Sequence, residues 1–95
     1  MEIICRIVEQ GALTQRAYTD RQGQQQTFTS MPFVLASGQD TLFAELTGEA
    51  ATKQAACSKD YYYKADLSLR ADRFTTQQGE ERQSTRIYIN RIAPL

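Results

Sequence analysis

One segment has the clearest strand pattern in the chain, YYYKADLSLRADRFTTQQGEERQSTRIYI at Tyr61–Ile89. Up to Arg70 its side chains alternate, which is the period of a β-strand with one buried face. The face predicted to be buried carries Tyr61, Tyr63, Ala65, Leu67 and Leu69. A second alternation places Ile87 and Ile89 on one face and Arg86, Tyr88 and Asn90 on the other. The pattern predicts two strands joined by a long hairpin connection.

The connection between these two strands, Ala71–Gln83, is polar and has Gly79 near its tip. We expect a mobile loop there, because the segment has few apolar side chains to hold it against a core and its glycine permits turns that other residues disfavour. It also carries arginines and an aromatic residue, Phe74, that no core pattern explains. Such a segment suits the binding of single-stranded nucleic acid, because its cations can contact phosphates and its aromatic ring can stack on a base.

The composition limits the class of protein. A chain of 95 residues allows a single domain, residues 1–95, with a modest core. Eleven basic residues balance eleven acidic ones, so the net charge does not indicate a nucleic-acid partner. The arginines are nevertheless concentrated in the predicted hairpin, and local clustering matters more for binding than the total charge. The clustered residues are Arg70, Arg73, Arg82 and Arg86.

Several classes of function are disfavoured by what the sequence lacks. There is no histidine, the two cysteines Cys5 and Cys57 have no CxxC spacing, and the carboxylates show no paired pattern. We therefore expect no enzyme activity, no metal site and no cofactor. Both thiols fall in apolar patterns, so we expect them to be reduced and buried. The chain has neither a signal-peptide pattern nor an apolar run of roughly 20 residues, so we expect a cytoplasmic protein without a membrane partner.

The N-terminal half predicts three further strands, at Glu2–Glu9, Thr27–Ala36 and Thr41–Thr47. The first is apolar on both faces, which is typical of a central strand. Between the first two strands, Gln10–Gln26 is polar, and Tyr18–Gly23 has the composition of a hairpin tip. Three basic and aromatic side chains in this segment could either lie in a solvated loop or contact nucleic acid. They are Arg16, Tyr18 and Arg21.

Finer features of this half are predicted as well. Pro32 lacks an N–H group and should mark a strand edge or a bulge. Ser37–Asp40 should form a tight turn, and the strand after it should point Phe43 outward. Gly48–Cys57 is rich in helix formers and predicts a short helix.

The predicted order is three strands, a helix and two strands. This all-β layout, with a helix between the third and fourth of five strands, is that of an OB-fold, a partly open five-stranded barrel. An OB-fold requires the first of the five predicted strands to pair with the fourth. An unrelated small barrel or sandwich with a capping helix is the alternative fold.

The predicted hairpin resembles the bacterial single-stranded-DNA-binding protein family. The resemblance rests on Leu69–Phe74, then Gly79, Arg82 and Ser84–Ile89, at the spacing of that family's Leu-Arg, basic, aromatic, glycine, arginine and alternating apolar positions. Arg16, Tyr18, Gly23 and Gly48–Ala50 also match family positions, more loosely. The family implies an OB-fold that assembles as a homodimer or tetramer and coats single-stranded DNA without strong sequence preference. By position, the resemblance assigns DNA contacts to Arg70, Arg73 and Phe74.

The chain departs from the family in three respects. It has no tryptophan, its Ser37–Asp40 connection is very short, and no acidic tail precedes its end at Leu95. These departures predict an accessory relative in replication or recombination, such as a primosomal protein or a version from a phage or mobile element, with replication proteins as its protein partners.

The predicted interface combines cations for phosphates with aromatic rings for bases. Its members are Arg16, Tyr18, Arg21, Phe43, Tyr62, Lys64, Arg70, Arg73, Phe74, Arg82, Arg86 and Tyr88. Individually, the tyrosines could instead pack across strands or between subunits, and the arginines could pair with nearby carboxylates. The alternative function is an OB-fold module for protein–protein interaction or oligomerisation without nucleic-acid binding. RNA is an alternative to DNA as the ligand.

Overall fold

The computed structural model describes residues 1–95 and is mostly β-sheet with one short helix, which confirms the all-β expectation. No helix in it has the length and apolarity needed to cross a membrane. The elements follow one another as β1 (Glu2–Gln10), β2 (Thr14–Thr19), β3 (Gln25–Ser37), β4 (Asp40–Thr47), α1 (Gly48–Lys53), β5 (Tyr62–Thr75) and β6 (Glu81–Pro94).

Five of the six strands pair in a closed circuit. The order β1–β5–β6–β4–β3 is completed by an additional pairing of β3 with β1. All these pairings are antiparallel except that of β4 with β6. The expected pairing of the first strand with the strand after the helix is confirmed, from Glu2 opposite Asp66 to Arg6 opposite Tyr62. β2 lies outside the circuit and extends β3 as a hairpin.

The core fills the inside of this circuit. Alternate residues of the strands point inward, and Ala51 of α1 packs against them. The predicted alternation is confirmed in β4 and in the first part of β5, because Leu46, Ala65 and Leu67 are buried there. At the two ends of the predicted face it is wrong, because Tyr61 and Leu69 are exposed. Burying a large apolar side chain stabilises the fold by roughly 1.5–3 kcal/mol. The twelve core residues are Cys5, Ile7, Met31, Phe33, Leu35, Ala44, Leu46, Ala51, Tyr63, Ala65, Leu67 and Ile89.

The first strand buries only one face, so the expectation of two apolar buried faces is wrong. Ile4 is 55% exposed and Val8 is 47% exposed. The register of β1 against β3 shifts between Ile7 and Glu9, leaving Val8 as an extra residue in a bulge. Beyond the bulge, the Gln10 side chain accepts a hydrogen bond from the Cys57 backbone N–H at 2.7 Å. Through this hydrogen bond, the end of β1 beyond the bulge holds the segment that follows the helix.

The polar segment after β1 contains a strand that the sequence pattern did not predict. Thr14–Thr19 forms β2, and all its residues are exposed. With water on both faces there is no apolar alternation to detect. The hairpin tip does lie within the predicted region, where the Asp20 carboxylate accepts hydrogen bonds from the backbone N–H groups of Gln22 and Gln24, both at 2.9 Å.

Pro32 lies where β3 changes its neighbour on one edge. β3 pairs with β2 up to Ser30 and with β1 from Phe33, so the missing N–H group of Pro32 costs neither ladder a bond. In this gap the Gly11 N–H donates to the Pro32 carbonyl at 2.8 Å. A Cβ atom on Gly11 would lie 2.5 Å from the Pro32 ring, so this close approach requires glycine.

Two predicted boundaries are wrong. The helix ends at Lys53 instead of Cys57, because Gln54 is already extended and the following segment is tied to β1. The predicted loop Ala71–Gln83 is instead mostly strand, paired residue by residue from Ala71 opposite Thr85 to Thr75 opposite Glu81. Only the turn between Thr75 and Glu81 is irregular. The two strands of this hairpin are joined by backbone hydrogen bonds, which polarity patterns do not reveal. The predicted turn at residues 37–40 is confirmed.

Candidate nucleic-acid interface

Two hairpins project their outward side chains onto one face of the molecule. In the β2–β3 hairpin, Tyr18 stands opposite Gln26 and Arg16 opposite Phe28. Directly opposite residues in a ladder share a face. The Arg16 guanidinium carbon lies 6.0 Å from the centre of the Phe28 ring, within the range of a cation–π interaction. A cation and an aromatic ring are therefore paired on this hairpin.

The β5–β6 hairpin presents a second set of outward side chains on the same face of the molecule. We call the outer part of this hairpin, from Arg70 to Arg86, the arm. The parallel pairing of Glu45 with Tyr88 connects the outward side of β4 to that of β6, while Ala44 and Ile87 beside them point inward. Arg70 stands opposite Arg86. Arg82 stands opposite Phe74, nearer the tip of the arm.

A groove lies between the two hairpins, and we define it by the residues that line its two adjoining cavities. Phe28 lines both cavities and is 37% exposed. The first cavity is lined by Thr14, Arg16, Phe28, Ser30, Glu45 and Arg86. The second is lined by Phe28, Thr47, Ser68, Leu69, Arg70, Tyr88 and Asn90. Arginines on both sides of an aromatic residue are the arrangement that a single strand requires.

The arginines of the groove are poorly neutralised by the protein itself. Arg16 and Arg86 form no ion pair, and Arg70 has only a long contact of 3.8 Å from its Nε to the Asp72 carboxylate. The Tyr88 side chain, and to a lesser extent Glu45, raises the pKa of Arg86 further above its already high value. Among the arginines of the predicted interface, only Arg70 and Arg82 contact a carboxylate, so the alternative that they pair with acidic residues applies to few of them. The shorter of the two contacts joins Arg82 to Glu80 at 3.2 Å.

Some predicted residues lie outside the groove. Arg73 stands opposite Gln83 on the other face of the arm, and Arg21 lies in the turn after β2. Phe43 points outward as predicted and is 74% exposed, beside Val34 of β3. The outward position follows from strand alternation, but Phe43 lines neither cavity of the groove.

Tyr62, Lys64 and Arg70 fall on one face of the predicted strand, but they do not form a continuous strip in the structure. Tyr62 and Lys64 lie at the far end of β5, beside β1. Arg6 packs over the Tyr62 ring at 5.7 Å, and the Lys64 amine pairs with the Glu2 carboxylate at 2.9 Å. Both side chains are separated from the groove by several residues of strand, and the charge of Lys64 is already paired.

Phe28 is the functional candidate that the sequence pattern missed. The inward residues Met31, Phe33 and Leu35 have odd numbers, so strand alternation would have placed Phe28 on the outward face. The predicted strand Thr27–Ala36 includes Phe28, so its outward position could have been predicted from the sequence.

A second exposed surface is apolar, and we call it the apolar face. It consists of the outward residues Ile4 and Val8 of β1, Val34 of β3 and Phe43 of β4. Its one arginine is Arg6, which lies between Ile4 and Val8 on the same side of β1, whereas three arginines line the groove.

Both cysteines are free. Cys5 is buried as expected, but Cys57 is only half-buried, so the expectation that both are buried is wrong. Burial raises the pKa of both thiols, so they remain protonated in neutral solution.

No protein-family model matches the chain, and no curated protein shows significant similarity to it.

Proposed function

We propose that the chain is an OB-fold protein that binds single-stranded DNA across the groove. The fold assignment is supported by the strand circuit, with its one parallel pairing of β4 with β6 and with α1 leading from β4 toward β5. In OB-folds the face of the second and third barrel strands, together with two flanking loops, binds oligonucleotides. Here β3 and β4 correspond to those strands, and the β2–β3 hairpin and the arm correspond to the loops.

The observation that carries the proposal is the convergence of two separate hairpins on one basic, aromatic groove. Arg16 and Phe28 come from the first hairpin, and Arg70, Arg86 and Tyr88 come from the second. These arginines lack good ionic partners, so phosphates would supply the missing counter-charge. These contacts involve phosphates and ring faces, which every sequence offers, so they do not by themselves discriminate between sequences.

The resemblance of the arm to the bacterial single-stranded-DNA-binding family supports the same function. We therefore propose a cytoplasmic accessory role in replication or recombination, with the arm closing over the bound strand. Groove residues also fit single-stranded RNA, and parallel titrations with DNA and RNA oligonucleotides distinguish the two ligands.

A titration at varied salt tests this function. We expect fluorescently labelled oligo-dT to bind with an affinity that falls steeply with salt, because each phosphate contact on a single strand contributes about −0.7 to the log–log slope. Three groove arginines predict a slope of about −2. Absence of binding at low salt, or a slope near zero, would contradict the proposal.

A second candidate is protein association through the apolar face. Ile4 and Val8 of β1 and Phe43 of β4 are large exposed apolar side chains on the two strands that flank β3, and such exposed groups favour a protein contact. A homodimer or tetramer is the assembly we propose. Light scattering of the unaltered protein and of Val8→Glu tests it, with a monomer expected only for the variant. A monomer in both cases would exclude this role for the apolar face.

A further inference from the structure

We propose that Glu45 gives the groove a preference for bases with an exocyclic amino group, and for cytosine over uracil or thymine among the pyrimidines. This inference rests on the proposed function, because it concerns how a bound strand meets the same groove. It goes further by assigning a role to an acidic residue in an otherwise basic site.

Glu45 occupies the floor of the groove. It lies on β4, between Pro32 of β3 and Tyr88 of β6, and its side chain is half-buried on the outward face. Arg16 and Arg86 line the same cavity. A phosphate would be attracted to these arginines and repelled by the carboxylate between them, so Glu45 faces the part of a nucleotide that is not charged.

The carboxylate is held in place without being neutralised. Ser30 donates a hydrogen bond from its hydroxyl to Oε2 of Glu45 at 2.8 Å, while Oε1 has no hydrogen-bond partner within the protein. Glu45 forms no ion pair with either groove arginine. A fixed acceptor is therefore directed to the groove beside Phe28, whose ring is placed to stack on a base.

An ionised carboxylate accepts hydrogen bonds and cannot donate them. The amino group at position 4 of cytosine can donate to it, which is the pairing that acidic side chains make with this base elsewhere. Uracil and thymine carry an oxygen at that position, and two acceptors facing each other repel. The discrimination therefore comes from the group at position 4, when the base presents that edge to Glu45.

The test compares oligo-dC with oligo-dU of about 12 nucleotides, a length within the usual span of one such fold. The two differ at the 4-position and at N3, and neither has the thymine methyl group. At mildly alkaline pH cytosine is unprotonated. We expect the unaltered protein to bind oligo-dC about tenfold more tightly, and Glu45→Gln to reduce this ratio to near one, because an amide can donate as well as accept. Glu49→Gln is the matched control, since Glu49 lies on α1 and pairs with Lys53 away from the groove.

The outcomes are separable. Equal affinity of the unaltered protein for both oligonucleotides would overturn the base preference while leaving DNA binding intact. A preference that persists in Glu45→Gln would overturn the assignment to this residue. Failure to bind either oligonucleotide would contradict the proposed function itself. The first comparison needs no variant, so a misfolded Glu45→Gln protein would not remove the test.

Discussion

Arg70 of β5 and Arg86 of β6 stand directly opposite each other at the base of the arm. Like charges in such a cross-strand pair destabilise a hairpin. A sequence selected only for stability would place a carboxylate or a threonine at one of these positions. The pair is instead consistent with a site whose charge is balanced by a ligand.

Replacing Arg86 with Thr should weaken DNA binding and leave the stability of the free protein nearly unchanged. The relief of repulsion from Arg70, worth roughly 0.2–1 kcal/mol, is offset by the loss of the interactions with Tyr88 and Glu45 that raise the pKa of Arg86. The loss of one phosphate contact should flatten the log–log salt slope by about 0.7. Thermal unfolding and anisotropy titrations measure the two effects. Arg91→Thr is the control, because Arg91 lies on the same strand but away from the groove, and its salt slope should not change. Equal slopes for both variants would argue against a role of Arg86 in phosphate contact.

Replacing Phe28 with Leu should weaken binding with little loss of stability. Leucine retains apolar contact with the sheet but has no flat face on which a base can stack, and each stacked base is worth about 1–3 kcal/mol. The matched control is Phe43→Leu, which removes an outward ring outside the groove. Competition titrations at one salt concentration compare the two. A larger effect at Phe43 would move the stacking site to the apolar face.

The arm should be mobile without DNA and ordered when DNA is bound. A two-stranded hairpin beyond the core is at best marginally stable alone, even though its backbone is fully paired. Phe74, near its tip, is 50% exposed, so Phe74→Ala should cost about 1–3 kcal/mol of binding and leave the unfolding midpoint nearly unchanged. Arg73→Ala is a useful comparison, because Arg73 lies on the other face and should have the smaller effect on binding. NMR relaxation of the arm amides with and without oligo-dT measures the ordering. Equal order in both states would show that the arm does not clamp the strand.

Acid should loosen the tip of the β2–β3 hairpin before it unfolds the rest. The backbone N–H of Gln24, followed by the Gln26 side chain and the Gln22 backbone N–H, lowers the pKa of Asp20. A group whose pKa is lower in the folded state stabilises the fold above its unfolded pKa and loses that contribution as the pH falls through its folded pKa. The effect therefore belongs to the acidic range, below the ordinary aspartate value. The protection of the Gln22 and Gln24 amides against hydrogen exchange, relative to their intrinsic rates at each pH, should fall there, and Asp20→Asn should remove most of this pH dependence. Exchange rates at the tip that follow the global unfolding curve in both proteins would contradict this.

The parts of the fold that could be predicted from sequence are those in which one face of a strand is buried. Tyr63, Ala65 and Leu67 are buried at alternate positions, and that alternation located the first part of β5 correctly. β2 and the arm have water on both faces, so their order comes from backbone pairing that leaves no apolar period. The early end of α1 was missed because a tertiary contact, from Gln10 to the Cys57 backbone, overrides local helix propensity.

The candidate site was predictable by residue type but not by arrangement. Arg16, Arg70, Arg86 and Tyr88 could be selected as cations and rings, but their convergence depends on pairings between strands that are distant in sequence. Arg73 was misplaced because its face depends on the arm being a regular ladder, in which it pairs with Gln83.

An NMR titration of the ¹⁵N-labelled protein with oligo-dT tests the central claim most directly, because it locates the bound strand residue by residue. If the groove is the binding site, the largest amide shift changes will occur at Arg16, Phe28, Glu45, Arg86 and Tyr88, the residues that the two hairpins and β4 bring together. Largest changes at Ile4, Val8 and Tyr62, with the groove unaffected, would contradict the account.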